Sequence, residues 1–126
     1  FSVEEANALI PTLTEIVTAL QQRYALLREK QQEFAALGRR IRLSGGMARP
    51  RIAELGEEID ALARQIDDHV RQIADLGCEL KDMVMGLVDF PAIREDRLVY
   101  LCWQLGEPEI RYWHETWAGF AGRQPL

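Results

Sequence analysis

Between Ile52 and Met83 apolar residues recur at positions 52, 55, 59, 62, 66, 73, 76, 80 and 83, in steps that alternate between three and four. His69 fills the one register position that is not apolar. Such a period predicts one long amphipathic helix with a narrow apolar seam. An isolated helix is held only weakly by propensity, so a second helix must cover that seam. The partner lies upstream, where Leu13, Val17, Leu20, Tyr24, Leu27, Gln31, Phe34, Gly38 and Ile41 repeat the same steps. Gly45-Gly46 breaks the pattern between the two stretches, and Pro50 suits the first turn of a new helix. The two helices are therefore expected to fold back as an antiparallel hairpin with arms of about 30 residues, roughly 45 Å long at about 1.5 Å per residue. In that register Gly38 faces Gly56 near the tip, which predicts a close backbone approach, and Tyr24 faces His69, which predicts a structural hydrogen bond in the seam.

At the start of the chain Ser2 and Glu5 have the spacing of a capping box. Pro11 falls inside the helical pattern and predicts a kink, or a short first helix ending near Ile10. The long second helix is expected to stop at Gly86. Beyond it the pattern changes to three short runs rich in β-branched and aromatic residues, Leu87–Ala92, Leu98–Trp103 and Ile110–Glu115, separated by Arg94-Glu95-Asp96-Arg97 and by Gly106-Glu107-Pro108-Glu109. This spacing predicts a three-stranded antiparallel meander, with Pro91 on an edge strand or at the last residue of its strand because it cannot donate to a ladder. Seven of the ten aromatic residues lie between Phe90 and Phe120, so a second core belongs there. The fold class expected is α+β: a single domain over 1–126, with a helical hairpin over 1–85 packed at its base on a small sheet and tail over 86–126.

With 126 residues, 48% apolar and 28% charged, the chain has the composition of one folded soluble domain. No apolar run approaches the roughly 18 residues of a membrane helix, and no basic-then-apolar leader opens the chain, so a cytoplasmic location is expected. Cys78 and Cys102 make neither a disulfide framework nor the paired CxxC of a structural zinc site. A net charge of −5 argues against a surface that grips nucleic acid throughout.

Several motifs are distinctive: Gly86–Ala92, Val99–Trp103, Leu105–Ile110, Tyr112-Trp113-His114-Glu115, Gly119–Leu126 and the opening Phe1–Asn7. Together they make the chain resemble a small prokaryotic family known only as a conserved domain of unknown function. The resemblance spans nearly the whole sequence and transfers no catalytic residue.

Three functional signals compete. His114-Glu115 lacks the second histidine of a zinc-peptidase helix, since position 118 is Ala118, and no phosphate loop or GxSxG elbow is present. Nucleophilic catalysis by Cys102 with His114 as base requires neighbouring strands to bring the two together. Asp89, Cys102 and His114 come from three successive expected strands, and pairing Tyr100 with His114 would put Cys102 and His114 on one face, so a transition metal such as zinc can bridge all three. Glu79, Asp82, Glu107 and Glu109 are close enough in sequence to join them. At the hairpin tip Arg39, Arg40, Arg42, Arg49 and Arg51 cluster without an acid among them, while Glu54, Glu57, Glu58, Asp60, Asp67 and Asp68 lie further along the second helix. That tip is suited to RNA, an anionic membrane surface or an acidic protein. The leading expectation is a non-enzymatic interaction or adaptor protein presenting this tip, and the rival is a metal-binding or enzymatic module built on Asp89, Cys102 and His114. Both faces of the expected sheet carry apolar residues, which predicts a homodimer anchored by Trp103 or Trp113.

Overall fold

The computed structural model describes residues 1–44 and 49–126, so the reversal expected at Gly45-Gly46 lies outside the described residues. Helix α1 runs from Val3 to Ser44 and α2 from Arg49 to Asp75, and the two pack together. The capping box forms as expected, with the Ser2 amide donating to Glu5 Oε1 and the Glu5 amide to Ser2 Oγ. The Ser2 bonds hold the Glu5 carboxyl below its ordinary range. Pro11 neither ends nor divides the helix: α1 is continuous through it, and the first unit's core residues Ile10 and Leu13 flank it.

The chain separates into two compact units, residues 1–21 with 69–126, and residues 22–68. The boundary between these units crosses both helices. In the second unit Leu55, Leu62 and Ile66 are buried, and ion pairs such as Lys30–Glu58 at 2.9 Å tie the arms. The close approach expected of Gly38 and Gly56 is absent, since a Cβ at either would meet nothing within 4 Å. The expected seam bond also fails. His69 Nδ1 pairs with Gln72 Oε1 at 3.1 Å, one turn along its own helix, and Tyr24 instead lies beneath the Arg28 guanidinium.

In the first unit α2 stops eleven residues earlier than the seam predicts. Gly77 adopts φ +88, its amide donates to the Ala74 carbonyl and the Cys78 amide to the Ile73 carbonyl, a glycine-capped helix end that satisfies two of the last carbonyls. Leu80 and Met83 kept helical spacing only by coincidence. Glu79–Asp82 is a strand, β1, followed by β2 (Leu87–Arg94), β3 (Arg97–Gln104), β4 (Tyr112–Glu115) and β5 (Gln124–Pro125), all antiparallel in the order β1-β2-β3-β4-β5. The sheet thus has five strands where three were expected.

One face of this sheet carries Val88, Phe90, Ala92, Val99, Leu101, Trp103 and Trp113, all buried, and with Ala6, Leu13, Val17 and Leu20 of α1 they form the core. Phe1 meets Phe90 edge-on at 5.3 Å, and Asn7 Oδ1 accepts from the Ile110 amide at 2.6 Å. Pro91 lies beyond the end of β1, where its carbonyl accepts from the Phe1 nitrogen at 2.7 Å, so the missing N–H costs no ladder bond.

Candidate metal centre

The opposite face carries the chemistry. The β2–β3 register pairs Asp89 with Cys102 and Pro91 with Tyr100, and the β3–β4 register pairs Tyr100 with His114 and Cys102 with Tyr112. Residues two apart on a strand share a face, so Asp89, Cys102 and His114 converge from three adjacent strands. All three are buried, at 2%, 1% and 2% exposure, and one ligand atom from each lies within 4.8 Å of the others.

The imidazole is held at both ends. His114 Nδ1 lies 2.7 Å from the Glu115 carbonyl and Nε2 lies 3.0 Å from Asp89 Oδ2. A carbonyl only accepts, so Nδ1 carries a proton, and in the neutral ring Nε2 then offers a lone pair to a carboxylate that is itself an acceptor. Two acceptors at that distance need a cation between them, a proton carried by either partner or a metal ion. The Cys102 sulfur lies within 4.8 Å of a His114 ring nitrogen, while both nitrogens of that ring are within hydrogen-bond distance of Asp89 and the Glu115 carbonyl. Burial, and then the Asp89 carboxylate beside it, push the Cys102 thiol up to about 12, which removes the thiolate that an unaided nucleophile needs.

A cavity of about 290 Å³ opens onto the three residues, with Lys81, Tyr100, Trp117 and Phe120 on its wall. The Tyr100 hydroxyl bonds Glu79, which raises Tyr100 and lowers Glu79, and Lys81 Nζ lies 3.2 Å from Glu79 Oε1 and 5.1 Å from the Tyr100 ring centre. Lys81 escaped the sequence reading because 79–82 fitted the helical seam, and Trp117 and Phe120 because they follow the last recognisable strand. The alternation Glu79, Leu80, Lys81 was the available signal for the first.

The other acids considered as ligands are engaged elsewhere. Asp82 accepts from the Met85 amide, Glu109 pairs with Arg111, and Glu107 accepts from the Gln104 amide and from Arg123 Nη2 at 2.7 and 2.8 Å. Trp103 and Trp113 do not present their rings at the surface. Trp103 is fully buried and donates to the Glu107 carbonyl, while Trp113, 6% exposed, lies beneath Arg94 at 4.6 Å. Both belong to the core face. At the tip Arg39, Arg40, Arg42 and Arg49 are exposed, and Arg51 reaches Glu33, Glu54 and Glu58. The acids that hold Arg51 come partly from α1, where the sequence reading saw them only along α2.

These features define a class: an α+β domain whose antiparallel sheet gives one face to helical packing and the other to a buried Asp-Cys-His cluster under a small cavity. The chain belongs to the family described as uncharacterized conserved protein DUF2203, whose model matches residues 1–126. Comparisons with curated proteins and with solved structures return no match.

Proposed function

We propose that the protein is a metal-binding module in which Asp89, Cys102 and His114 hold one transition-metal ion, of which zinc is the best fit, with a fourth coordination position facing the cavity. The observation that carries this reading is the convergence of three buried ligand atoms within 4.8 Å from three different strands. A tetrahedral zinc ion with bonds of about 2.0 to 2.3 Å separates its ligand atoms by roughly 3.3 to 3.7 Å, so side-chain adjustments of about 1 Å close the set around it. Mixed oxygen, nitrogen and sulfur donors suit a borderline-soft ion. The Glu115 carbonyl supplies the outer hydrogen bond that metal-bound imidazoles commonly make, and it points the Nε2 lone pair at the site. A three-ligand site with an open position is the arrangement in which zinc activates water or polarises a carbonyl. The two free cysteines, both buried, agree with a reducing cytoplasmic home.

Elemental analysis and Co²⁺ titration of the full chain test the reading. One ion per chain is expected, with Co²⁺ giving a thiolate charge-transfer band that Cys102→Ser abolishes and His114→Ala weakens by at least tenfold in affinity. A folded wild-type chain that takes up no Co²⁺ or Zn²⁺ overturns it.

A further inference from the structure

The cavity above the cluster has a composition that selects its occupant. Its volume, about 290 Å³, is that of roughly ten water molecules, which suits a small organic molecule and excludes a peptide segment. A divalent ion would be neutralised by the Asp89 carboxylate and the Cys102 thiolate. Among the described residues on the wall, that leaves Lys81 as the one further charge. Its partner Glu79 is an exposed contact with both side chains 43% accessible, an arrangement that water screens strongly. The balance of the wall is therefore positive by one unit and complements a monoanion.

Apart from Tyr100 and Thr116, the remaining wall is apolar. Leu87 closes the inner side, and Trp117 and Phe120 stand on the outer side. Trp117 is 83% exposed, the most solvent-accessible large hydrophobic side chain among the described residues. An indole left in water at the mouth of a cavity gains by covering a ligand there. Phe120 is 37% exposed and is backed by the Arg123 guanidinium at 4.8 Å, which itself is fixed by Glu107. The outer wall thus has one ring backed by Arg123 and one ring largely in solvent.

Resting on the metal reading above, we infer that the cavity binds a small monocarboxylic acid with an aromatic or branched apolar body. One carboxylate oxygen takes the open position on the metal, the charge is balanced by Lys81, and the apolar body lies against Trp117 and Phe120. No covalent bond of the acid changes in this step: a metal–carboxylate bond forms as a metal–water bond breaks, and the water leaves to solvent.

The test uses the Co²⁺-loaded full chain and three probes: benzoate, acetate and the neutral benzyl alcohol. Benzoate is expected to shift the Co²⁺ bands with at least tenfold higher affinity than acetate or benzyl alcohol. Trp117→Ala should bring benzoate to the level of acetate while the Co²⁺ bands of the ligand-free protein stay unchanged, and Lys81→Gln should weaken both acids but not benzyl alcohol. Trp117 fluorescence follows the same titration independently of the metal spectrum. Co²⁺ bands that form but do not respond to benzoate, or respond equally to all three probes, overturn the inference and leave the metal centre standing. Failure of the Co²⁺ bands to form at all removes the metal reading, and the inference with it.

Discussion

Cys78 is the residue at which protonation and folding are most directly linked outside the cluster. It is 3% exposed beneath the glycine-capped end of α2, and burial raises its thiol from 9.0 to about 11. Below pH 9 both folded and unfolded chains keep the proton, and the thiol makes no pH-dependent contribution. Between 9 and 11 the unfolded chain loses the proton that the folded chain retains, so stability falls as pH rises. Urea midpoints of the metal-free protein at about pH 8 and about pH 10.5 should therefore drop for wild type and drop less for Cys78→Ala, with Cys102, Tyr100 and Lys81 among the groups supplying the remainder. An identical drop in both would show that Cys78 ionises as freely in the fold as outside it. At this scale the cluster was partly legible in the sequence. Asp89, Cys102 and His114 were visible because strand periodicity decides faces, and the Tyr100–His114 register that unites them is found. The tautomer of His114 was not legible, because a contact with the next residue's own carbonyl depends on side-chain rotation and leaves no trace in spacing.

Among the elements, the β2–β3 hairpin stores the clearest strain. Its two central residues, Glu95 and Asp96, have φ +51 and +62 between the paired Arg94 and Arg97. This is the two-residue turn that matches strand twist and that asparagine and glycine occupy most easily. A non-glycine residue held there costs about 1 to 3 kcal/mol, with aspartate less penalised than glutamate. Glu95 is also paired with Arg97, but the contact is exposed and contributes little. The double change Glu95→Asn, Asp96→Gly should raise stability by about 1 kcal/mol or more at an unchanged denaturant slope. A lower midpoint would mean that the charged turn makes contacts worth more than its strain. The turn was legible as four charged residues between two apolar runs. β1 and β5 were not: β1 imitates the helical seam at Leu80 and Met83, and β5 has only two residues, too few for any period. The true end of α2 was written at Gly77, but Leu76 and Leu80 on either side kept the helical step alive and outweighed one glycine.

For the whole molecule, the distribution of buried apolar side chains predicts two levels of stability. Among the residues whose burial is described, twenty apolar side chains form the core; Leu55, Leu62 and Ile66 fall within 22–68, and the other seventeen belong to the unit of 1–21 and 69–126. Burying three such side chains contributes about 1.5 to 3 kcal/mol each, small beside the roughly 1 to 2 kcal/mol of backbone entropy lost by each ordered residue. Leu26 and Phe34 add little, being 42% and 39% exposed, and the ion pairs of this unit are largely solvated. Residues 22–68 should therefore open at a lower free energy than the sheet, as a cooperative segment of their own. Amide hydrogen exchange on the full chain reads this directly: slowest exchange in β2, β3 and β4, faster exchange throughout 22–68. Metal gives the sharper form of the test. All three proposed ligands lie in the sheet unit, so an ion that binds the folded site stabilises only those openings that destroy it. Adding Zn²⁺ should slow exchange across β2, β3 and β4 and leave 22–68 unchanged. If both regions slow together, the helical arms exchange only when the sheet unfolds, and the protein is one cooperative unit despite its uneven core.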